Sequence, residues 1–200
     1  MGGVLRFIEA NQTLKNSIGM LSRYPEMAFS RLLLILKLYP DYIKKLCKWA
    51  QNEDLPDELR ENLIEVLGKT KNKEVIPFLE QILKHEKKNM KIAALRSMEF
   101  LGAGDPNTIK KLFTECDEIL VLLQSCNTLA AWKDSESIMF LSKIAIENKE
   151  ISLRIKAIQA LGATQKVESV EFLLDIMLNG EKSKEERFSA KEAILERSEE

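Results

Sequence analysis

Apolar residues recur along the chain at the three- and four-residue spacing of amphipathic helices, and no segment alternates with the two-residue period of a half-buried strand. Five segments share an apolar-x-x-Leu pattern. They are DYIKKL (41–46), EVIPFL (74–79), NTIKKL (107–112), ESIMFL (136–141) and ESVEFL (168–173). Their final leucines follow one another at steps of 33, 33, 29 and 32 residues. We therefore predict a helical protein with an internal repeat of roughly 30 residues.

A second helical pattern precedes most of these segments and ends in Leu-Gly. Three copies end in this way: ELRENLIEVLG (58–68), KIAALRSMEFLG (91–102) and LRIKAIQALG (153–162). A degenerate copy ends at Trp132, and AKEAIL (190–195) is a further copy. Because glycine adopts the left-handed conformation that ends many helices, we predict that Gly68, Gly102 and Gly162 each stand at a helix C-terminus. The chain is thus predicted to alternate a first helix and a second helix, joined by short polar turns.

Capping signals help to predict the bounds of these helix pairs. Asp105 before Pro106 is typical of an N-cap followed by proline in the first turn, and Ser183 with Glu186 has the spacing of a capping box. A last helix is predicted at 184–198, and one or two short helices within 4–20. The helix pairs are predicted at 25–52, 56–86, 89–116, 119–147 and 151–179.

Stacking of neighbouring pairs should form the core, because one helix pair alone cannot shield its apolar stripe from water. Deleting one buried side chain is expected to cost on the order of 2–5 kcal/mol. The predicted core includes Leu63, Val66, Phe78, Leu79, Ile82, Phe140, Leu141, Leu161 and Phe172.

The segments GAGDPNTIKKL (102–112) and LRIKAIQALGATQKVESVEFLL (153–174) resemble HEAT repeats, in particular the HEAT-like repeats of the phycobilisome-lyase type. The resemblance implies an all-α fold: a right-handed α-α superhelix, or HEAT-like solenoid, of about five helix pairs with capping helices. We expect a single domain with three parts: an N-terminal cap at 1–24, repeats at 25–183 and a C-terminal capping helix at 184–200.

One copy departs from the family pattern. The segment 119–147 has Trp132 where other copies have glycine, and it has no arginine after its opening apolar pair. The ladder of Asp and Arg residues that the family usually carries is therefore incomplete there, and we expect irregular stacking.

The resemblance also implies that second helices line the concave surface of the solenoid. Outward positions of successive second helices would then align into two rows, and both rows begin basic and end acidic. The first row is Lys44, Pro77, Lys110, Met139 and Glu171, and the second is Lys48, Gln81, Thr114, Lys143 and Asp175. All of these except Pro77 are our candidate binding residues. A partner with one acidic and one basic end would fit, and the alternative is an ordinary solvated helix face.

Charge adds to this picture. The chain has a net charge of −1, but residues 1–100 carry 17 basic and 13 acidic side chains, and residues 101–200 carry 13 and 18. A dedicated nucleic-acid binder usually has a strong basic excess, so the balance weighs against nucleic acid as the partner. No apolar run exceeds five residues, which argues against a membrane span.

Catalytic and metal-binding chemistry is poorly supported. His85 is the only histidine, the three cysteines form no C-x-x-C pair, and no phosphate-binding or nucleophile motif occurs. We expect no cofactor and no metal. We interpret Cys47, Cys116 and Cys126 as reduced thiols of a cytoplasmic protein.

The first functional hypothesis is a non-catalytic scaffold that binds another protein along the concave face. The alternative is a HEAT-like DNA-repair enzyme of the alkylpurine glycosylase type, or else an accessory protein of a lyase. Those glycosylases use aromatic residues and an aspartate in a basic groove, and this chain has Trp132 close to Asp134. A third hypothesis is self-association, because the ends of solenoids can stack. The oligomeric state is left open.

Overall fold

The computed structural model describes residues 2–196, and for residues 2–10 it describes the backbone alone. This range contains twelve α-helices and no β-strand. A short 3-10 turn, Lys73–Val75, leads into α5. The helices are α1 (Gly2–Gly19), α2 (Pro25–Leu38), α3 (Tyr42–Ala50), α4 (Asp57–Lys69), α5 (Ile76–His85), α6 (Lys88–Leu101), α7 (Pro106–Glu115), α8 (Ile119–Trp132), α9 (Ser135–Glu147), α10 (Ile151–Ala163), α11 (Val167–Leu178) and α12 (Lys184–Leu195).

The predicted helix pairs are confirmed. They correspond to α2–α3, α4–α5, α6–α7, α8–α9 and α10–α11, and no bound differs from its prediction by more than two residues. The N-terminal segment forms one helix, α1, and the last predicted helix is α12. Its predicted end at residue 198 lies outside the described residues. The all-α solenoid class that the sequence indicated is therefore confirmed.

Two compact units divide the chain, Met1–Leu101 and Gly102–Glu200. In the first unit, α4 packs against α3 and α6, and α5 packs against α6. In the second unit, α10 packs against α8, α9 and α12, and α11 packs against α12, α10 and α9. The repeated leucines at the ends of the apolar-x-x-Leu segments all lie in these cores; they are Leu46, Leu79, Leu112, Leu141 and Leu173.

In the last four helix pairs, from α4–α5 to α10–α11, the turn between the first and the second helix contains a left-handed residue. Within residues 2–196 the positive φ angles occur only at Lys71 (57°), Gly102 (58°), Lys133 (56°) and Gln165 (56°). These positions are 31, 31 and 32 residues apart, which is more even than the spacing of the leucines. Helical structure resumes two residues after each left-handed residue, except after Gly102, where α7 begins four residues later. The longer loop accounts for the uneven leucine steps of 33 and 29.

All three Leu-Gly glycines lie within one residue of a helix C-terminus, as predicted, but only Gly102 has the left-handed conformation. Gly68 and Gly162 lie inside α4 and α10, with helical backbone, and each faces the next first helix. A Cβ at Gly68 would lie 2.5 Å from the Cα of Ser97, and one at Gly162 would lie 2.7 Å from the Cβ of Ala193. Both glycines therefore permit close approach of two helices, because any side chain would collide with the neighbouring helix.

Trp132 does not occupy a glycine position, which corrects a second sequence prediction. It is the last residue of α8 and directly precedes the left-handed Lys133, as Leu101 precedes Gly102. Its place in the repeat is thus that of Leu101.

The other local predictions have mixed outcomes. The side chain of Asp105 accepts a hydrogen bond from the backbone N–H of Asn107, and Ser183 forms the predicted capping box with Glu186. Seven of the nine predicted core residues are buried, but Phe140 and Phe172 are only half-buried. Their rings therefore lie at the edge of the core and not in its centre.

An arginine near the start of α4 ties the first unit together. Arg60 is the fourth residue of the helix and is almost fully buried. Its Nε donates a hydrogen bond to the carbonyl of Ala50, at the end of α3, at 2.8 Å. Its Nη2 donates to the carboxylate of Glu86, after α5. One guanidinium thus joins the ends of two second helices to a first helix.

Arg154, the fourth residue of α10, joins the end of α9 to the first turn of α12 in the second unit. Its Nη1 donates to the carbonyl of Asn148 at 2.9 Å, and its Nε donates to Glu186 of α12 at 2.7 Å. Glu186 is buried and also lies 3.6 Å from Lys182. The hydrogen bond from Arg154 lowers the pKa of Glu186 to about 2, so this carboxylate is ionised at neutral pH.

Candidate partner-binding surface

The structure places the nine predicted binding residues on exposed sides of second helices. Lys110 is half-buried, and the other eight are exposed. In the first unit, Lys44 and Lys48 lie on α3 and Gln81 on α5; in the second unit, Lys110 and Thr114 lie on α7, Met139 and Lys143 on α9, and Glu171 and Asp175 on α11.

Among the three candidate residues of the first unit, Gln81 has a polar partner within that unit. The side chain of Gln81 accepts a hydrogen bond from Gln51 at 3.4 Å. Lys45, next to Lys44, lies over the ring of Trp49 at 5.2 Å and donates to Asn11 at 2.8 Å. This part of the surface is basic and polar, and its role in binding stays a prediction.

The second unit brings its six candidate residues onto neighbouring helices. We call the exposed side of α7, α9 and α11 the partner face. Each helix contributes two of these residues, four positions apart, which puts them one above the other on the same side. The partner face comprises Lys110, Thr114, Met139, Lys143, Glu171 and Asp175.

An aromatic pair lies between α7 and α9 at this face. The rings of Phe113 and Phe140 meet edge to face, with their centroids 5.3 Å apart and their planes at 88°. The Nζ of Lys110 lies 5.8 Å from the centroid of Phe140 and is paired with the carboxylate of Glu136. Edge-to-face packing and a cation over the ring both fix the orientation of Phe140.

Phe113, Phe140 and Glu136 were not among the predicted site residues. The sequence assigned Phe140 to the core because it belongs to the apolar-x-x-Leu pattern. One available signal was spacing: Phe113 follows Lys110 by three positions, and Phe140 precedes Lys143 by three, so each shares a helix face with a charged candidate.

Two shallow clefts border the aromatic pair. One has a volume of about 300 Å³ and is lined by Lys110, Glu136, Met139, Phe140 and Lys143. The other has a volume of about 200 Å³ and is lined by Phe113, Phe140, Lys143, Ile144, Glu147 and Asn148. Pockets that enclose small molecules usually measure about 300–1,000 Å³, so these clefts suit single side chains of a bound protein better than a whole substrate.

Charge changes sign across the partner face. Lys110 and Lys143 lie on α7 and α9, whereas Glu171 and Asp175 lie on α11. The ammonium group of Lys143 lies 3.9 Å from Glu147, and both side chains are about two-thirds exposed. An exposed pair of this kind contributes little to stability, so Lys143 remains available for a partner's carboxylate.

Groups that could perform catalysis are poorly disposed for it. Burial raises the pKa of the Cys47 thiol to about 11 and that of Cys126 to about 12, so both are protonated and weakly nucleophilic at neutral pH. His85 is exposed at the end of α5. Within the described residues no group of three or more His, Cys, Asp or Glu could hold a metal ion.

Trp132 and Asp134 suggested a DNA-repair enzyme, and the structure gives Asp134 a local role. The carboxylate of Asp134 caps α9: it accepts hydrogen bonds from the backbone N–H of Ser137 at 2.8 Å and from its hydroxyl at 2.7 Å. Trp132 is half-buried at the end of α8. Asp134 therefore has a local role that its position before α9 explains without a substrate.

The repeats now allow a comparison with known families. A family model described as HEAT repeats matches residues 43–114 and 107–194. The chain belongs to the HEAT repeat family. Proteins with HEAT repeats are commonly protein-interaction scaffolds and are generally not catalytic. Among curated proteins, none matches this sequence significantly.

The matched ranges extend from α3 into α12 and so include helices of both units. The predicted membership in the HEAT repeat family is confirmed. None of the helices in residues 2–196 is long and apolar enough to cross a membrane.

Proposed function

We propose that this HEAT repeat protein is a non-catalytic scaffold whose partner face binds a segment of another protein. The observation that carries the proposal is the arrangement of α7, α9 and α11. It combines an exposed methionine, two clefts around an oriented aromatic pair, and opposite charges on either side.

Met139 would form the centre of the contact. Its side chain is 60% exposed although it borders a cleft of about 300 Å³. Methionine adapts its flexible thioether to partner surfaces at little cost, and it is frequent at binding surfaces for that reason. An apolar side chain of the partner would fill the cleft beside Phe140 and remove Met139 from water.

The charges would set the direction of the bound segment. Lys143 on α9 would pair with an acidic residue, and Glu171 and Asp175 on α11 would pair with basic residues. The preferred ligand is thus a segment with an apolar anchor between an acidic and a basic residue. Such complementary charges favour one orientation and disfavour the reverse, because the reverse juxtaposes like charges.

Selection from a library of random peptides displayed on phage tests the proposal directly. We expect the enriched peptides to carry an apolar residue with acidic residues on one side and basic residues on the other. Their affinity should fall by about tenfold or more in Met139→Asp and in Lys143→Glu, a loss of about 1.4 kcal/mol or more.

Leu120→Asp is the matched control. Leu120 is 52% exposed, much like Met139, but it lies on the first helix α8 and outside the partner face. Equal affinity of Met139→Asp and Leu120→Asp for the selected peptides would refute the partner face as the binding site. Peptides without the expected charge pattern would refute the proposed direction.

A further inference from the structure

An apolar stripe runs along the exposed side of α2, in the first unit. Met27, Leu34 and Leu38 are each more than half exposed, and Tyr24 precedes the helix with similar exposure. These positions lie on one side of the helix, because 27, 34 and 38 are separated by seven and eleven residues. Arg31 lies on the same side, one turn after Met27. Exposed apolar stripes on this scale commonly mark association surfaces.

A corresponding stripe runs along α12, in the second unit. Phe188 is 62% exposed and Leu195, seven residues later, is 48% exposed. Glu185, Glu192 and Glu196 follow one edge of this stripe and line a groove of about 440 Å³ between α10 and α12. The other edge carries Lys184 and Lys191.

The two stripes match in spacing and in charge. Met27 and Leu34 are seven residues apart, as are Phe188 and Leu195, so two apolar contacts form at once when the helices pair. In an antiparallel pairing Met27 meets Leu195, Leu34 meets Phe188, and Arg31 lies beside Glu192. A parallel pairing would instead set Arg31 beside Lys191, which like-charge repulsion disfavours.

The charge of the surrounding sequence agrees with this pairing. Residues 1–50 carry 8 basic and 3 acidic side chains, a net charge of +5. Residues 151–200, a window of the same length that contains α12, carry 8 basic and 10 acidic side chains, a net charge of −2. Opposite net charges accelerate the encounter of two copies and orient them.

We propose that α2 of one molecule docks antiparallel onto α12 of a second copy of this chain, so that the protein associates head to tail. The contact is heterologous: each molecule keeps one free α2 and one free α12. Such a contact can continue from copy to copy, and it forms a ring only if the rotation closes. It does not use the partner face, so its failure and the failure of the proposed function are distinguishable.

The association should be weak. A single pair of helices buries less than the ~1,200–2,000 Å² of a stable interface, so we expect a Kd on the order of 10–100 micromolar. Sedimentation velocity from about 5 to about 500 micromolar brackets this range. We expect the weight-average mass to rise continuously with concentration, since each added copy presents the same free ends.

Two blocking variants test the contact. Leu34→Asp places a charge on the α2 stripe, and Phe188→Asp places one on the α12 stripe. Each should lower the association constant about tenfold or more, and each should leave the urea midpoint and the helical circular dichroism unchanged, because both side chains are exposed. Met139→Asp, on the partner face, is the matched control and should associate like the unmodified chain.

Mixing the two blocking variants gives the sharpest result. Leu34→Asp retains a functional α12 and Phe188→Asp retains a functional α2, so an equimolar mixture should form dimers that do not grow further. If both variants alone stay monomeric and the mixture also stays monomeric, the head-to-tail contact is refuted. If only one of the two variants weakens association, the contact is symmetric and the proposed pairing is wrong.

A charge exchange tests the antiparallel register without altering the apolar stripes. Arg31→Glu and Glu192→Arg should each weaken association, and the two changes in one chain should restore it to within about threefold. Absence of restoration would refute this register.

Vesicles with about 30% phosphatidylserine test an anionic membrane as the occupant of α2. Vesicle binding that Leu34→Asp abolishes, together with a monomeric chain at all concentrations, would overturn the proposal.

Discussion

Replacing Gly68 by alanine should destabilise the first unit, although alanine is the better helix former. Gly68 is the last residue but one of α4, and its Cα faces α6. An added Cβ would lie 2.5 Å from both the Cα and the Cβ of Ser97. Carbon atoms in ordinary contact are about 3.5–4.0 Å apart, so α6 would have to move away by about 1 Å. Backbone atoms cannot yield by rotation of a side chain, and the whole helix must therefore shift.

The size of the effect follows from three contributions. Overpacking of this kind costs about 1–3 kcal/mol. The shift also lengthens the hydrogen bond that the hydroxyl of Ser97 donates to the carbonyl of Ile64, now 2.9 Å, at a cost of about 1 kcal/mol. Alanine recovers about 1 kcal/mol through its higher helix propensity. We expect Gly68→Ala to lower the free energy of unfolding by about 1–3 kcal/mol.

Urea unfolding followed by tryptophan fluorescence is a suitable assay. The chain has two tryptophans, and Trp49 lies in the first unit and Trp132 in the second. A Trp132→Phe background leaves Trp49 as the reporter of the unit that contains Gly68. Gly19→Ala is the matched control, because Gly19 also lies in a helix of that unit and an added Cβ meets no atom within 4 Å.

Opposite signs are expected for the two glycine substitutions. Gly19→Ala should leave stability unchanged or raise it by up to about 1 kcal/mol, as propensity alone predicts. If Gly68→Ala proved as stable as Gly19→Ala, α4 and α6 would not approach each other as closely as the structure has them, and the packing role of this glycine would be refuted.

Two further predictions concern the turns and the buried carboxylate. Lys133→Gly should stabilise the second unit by about 0.5–1 kcal/mol, because glycine adopts the left-handed φ of 56° without strain. Gly102→Ala should destabilise the protein by about 1 kcal/mol, because alanine is strained at the left-handed φ of Gly102. Thermal unfolding checks both, and melting temperatures equal to that of the wild type would contradict the expectation. Glu186→Gln should cost about 3 kcal/mol at pH 7, since it leaves Arg154 without its buried partner. The pKa of Glu186 falls from 4.5 to about 2 on folding, so its stabilisation is complete above pH 4.5 and is lost as the pH falls towards 2. Urea titrations at several pH values should therefore show the difference between wild type and variant narrowing over that window, and a constant difference would contradict the assignment.

Much of the helical architecture could be predicted from the sequence alone. Each helix must bury an apolar stripe, and this requirement leaves a periodicity that can be read without coordinates. Repetition strengthens the signal, because five second helices show the same pattern. Capping residues such as Asp105 and Ser183 act on neighbouring backbone groups, so their roles were also predictable.

The candidate site was predictable only in outline. Outward positions follow from helical spacing, and the exposed Met139 and Lys143 were identified in that way. The aromatic pair of Phe113 and Phe140 was missed, because the two rings belong to different helices 27 residues apart and meet only when α7 and α9 pack. Sequence pattern also cannot distinguish a ring at the edge of a core from one in its centre.

The sequence by itself determined the helix pairs, their order, their caps and the membership in the HEAT repeat family, because these depend on local spacing and on repetition. Only the tertiary structure decided what each Leu-Gly does: Gly102 turns the chain, whereas Gly68 and Gly162 let two helices touch. It also joined Arg154 to Glu186 across 32 residues. The physical reason is the same in each case: close packing and buried ion pairs depend on distances between helices, and no local pattern in the chain encodes those distances.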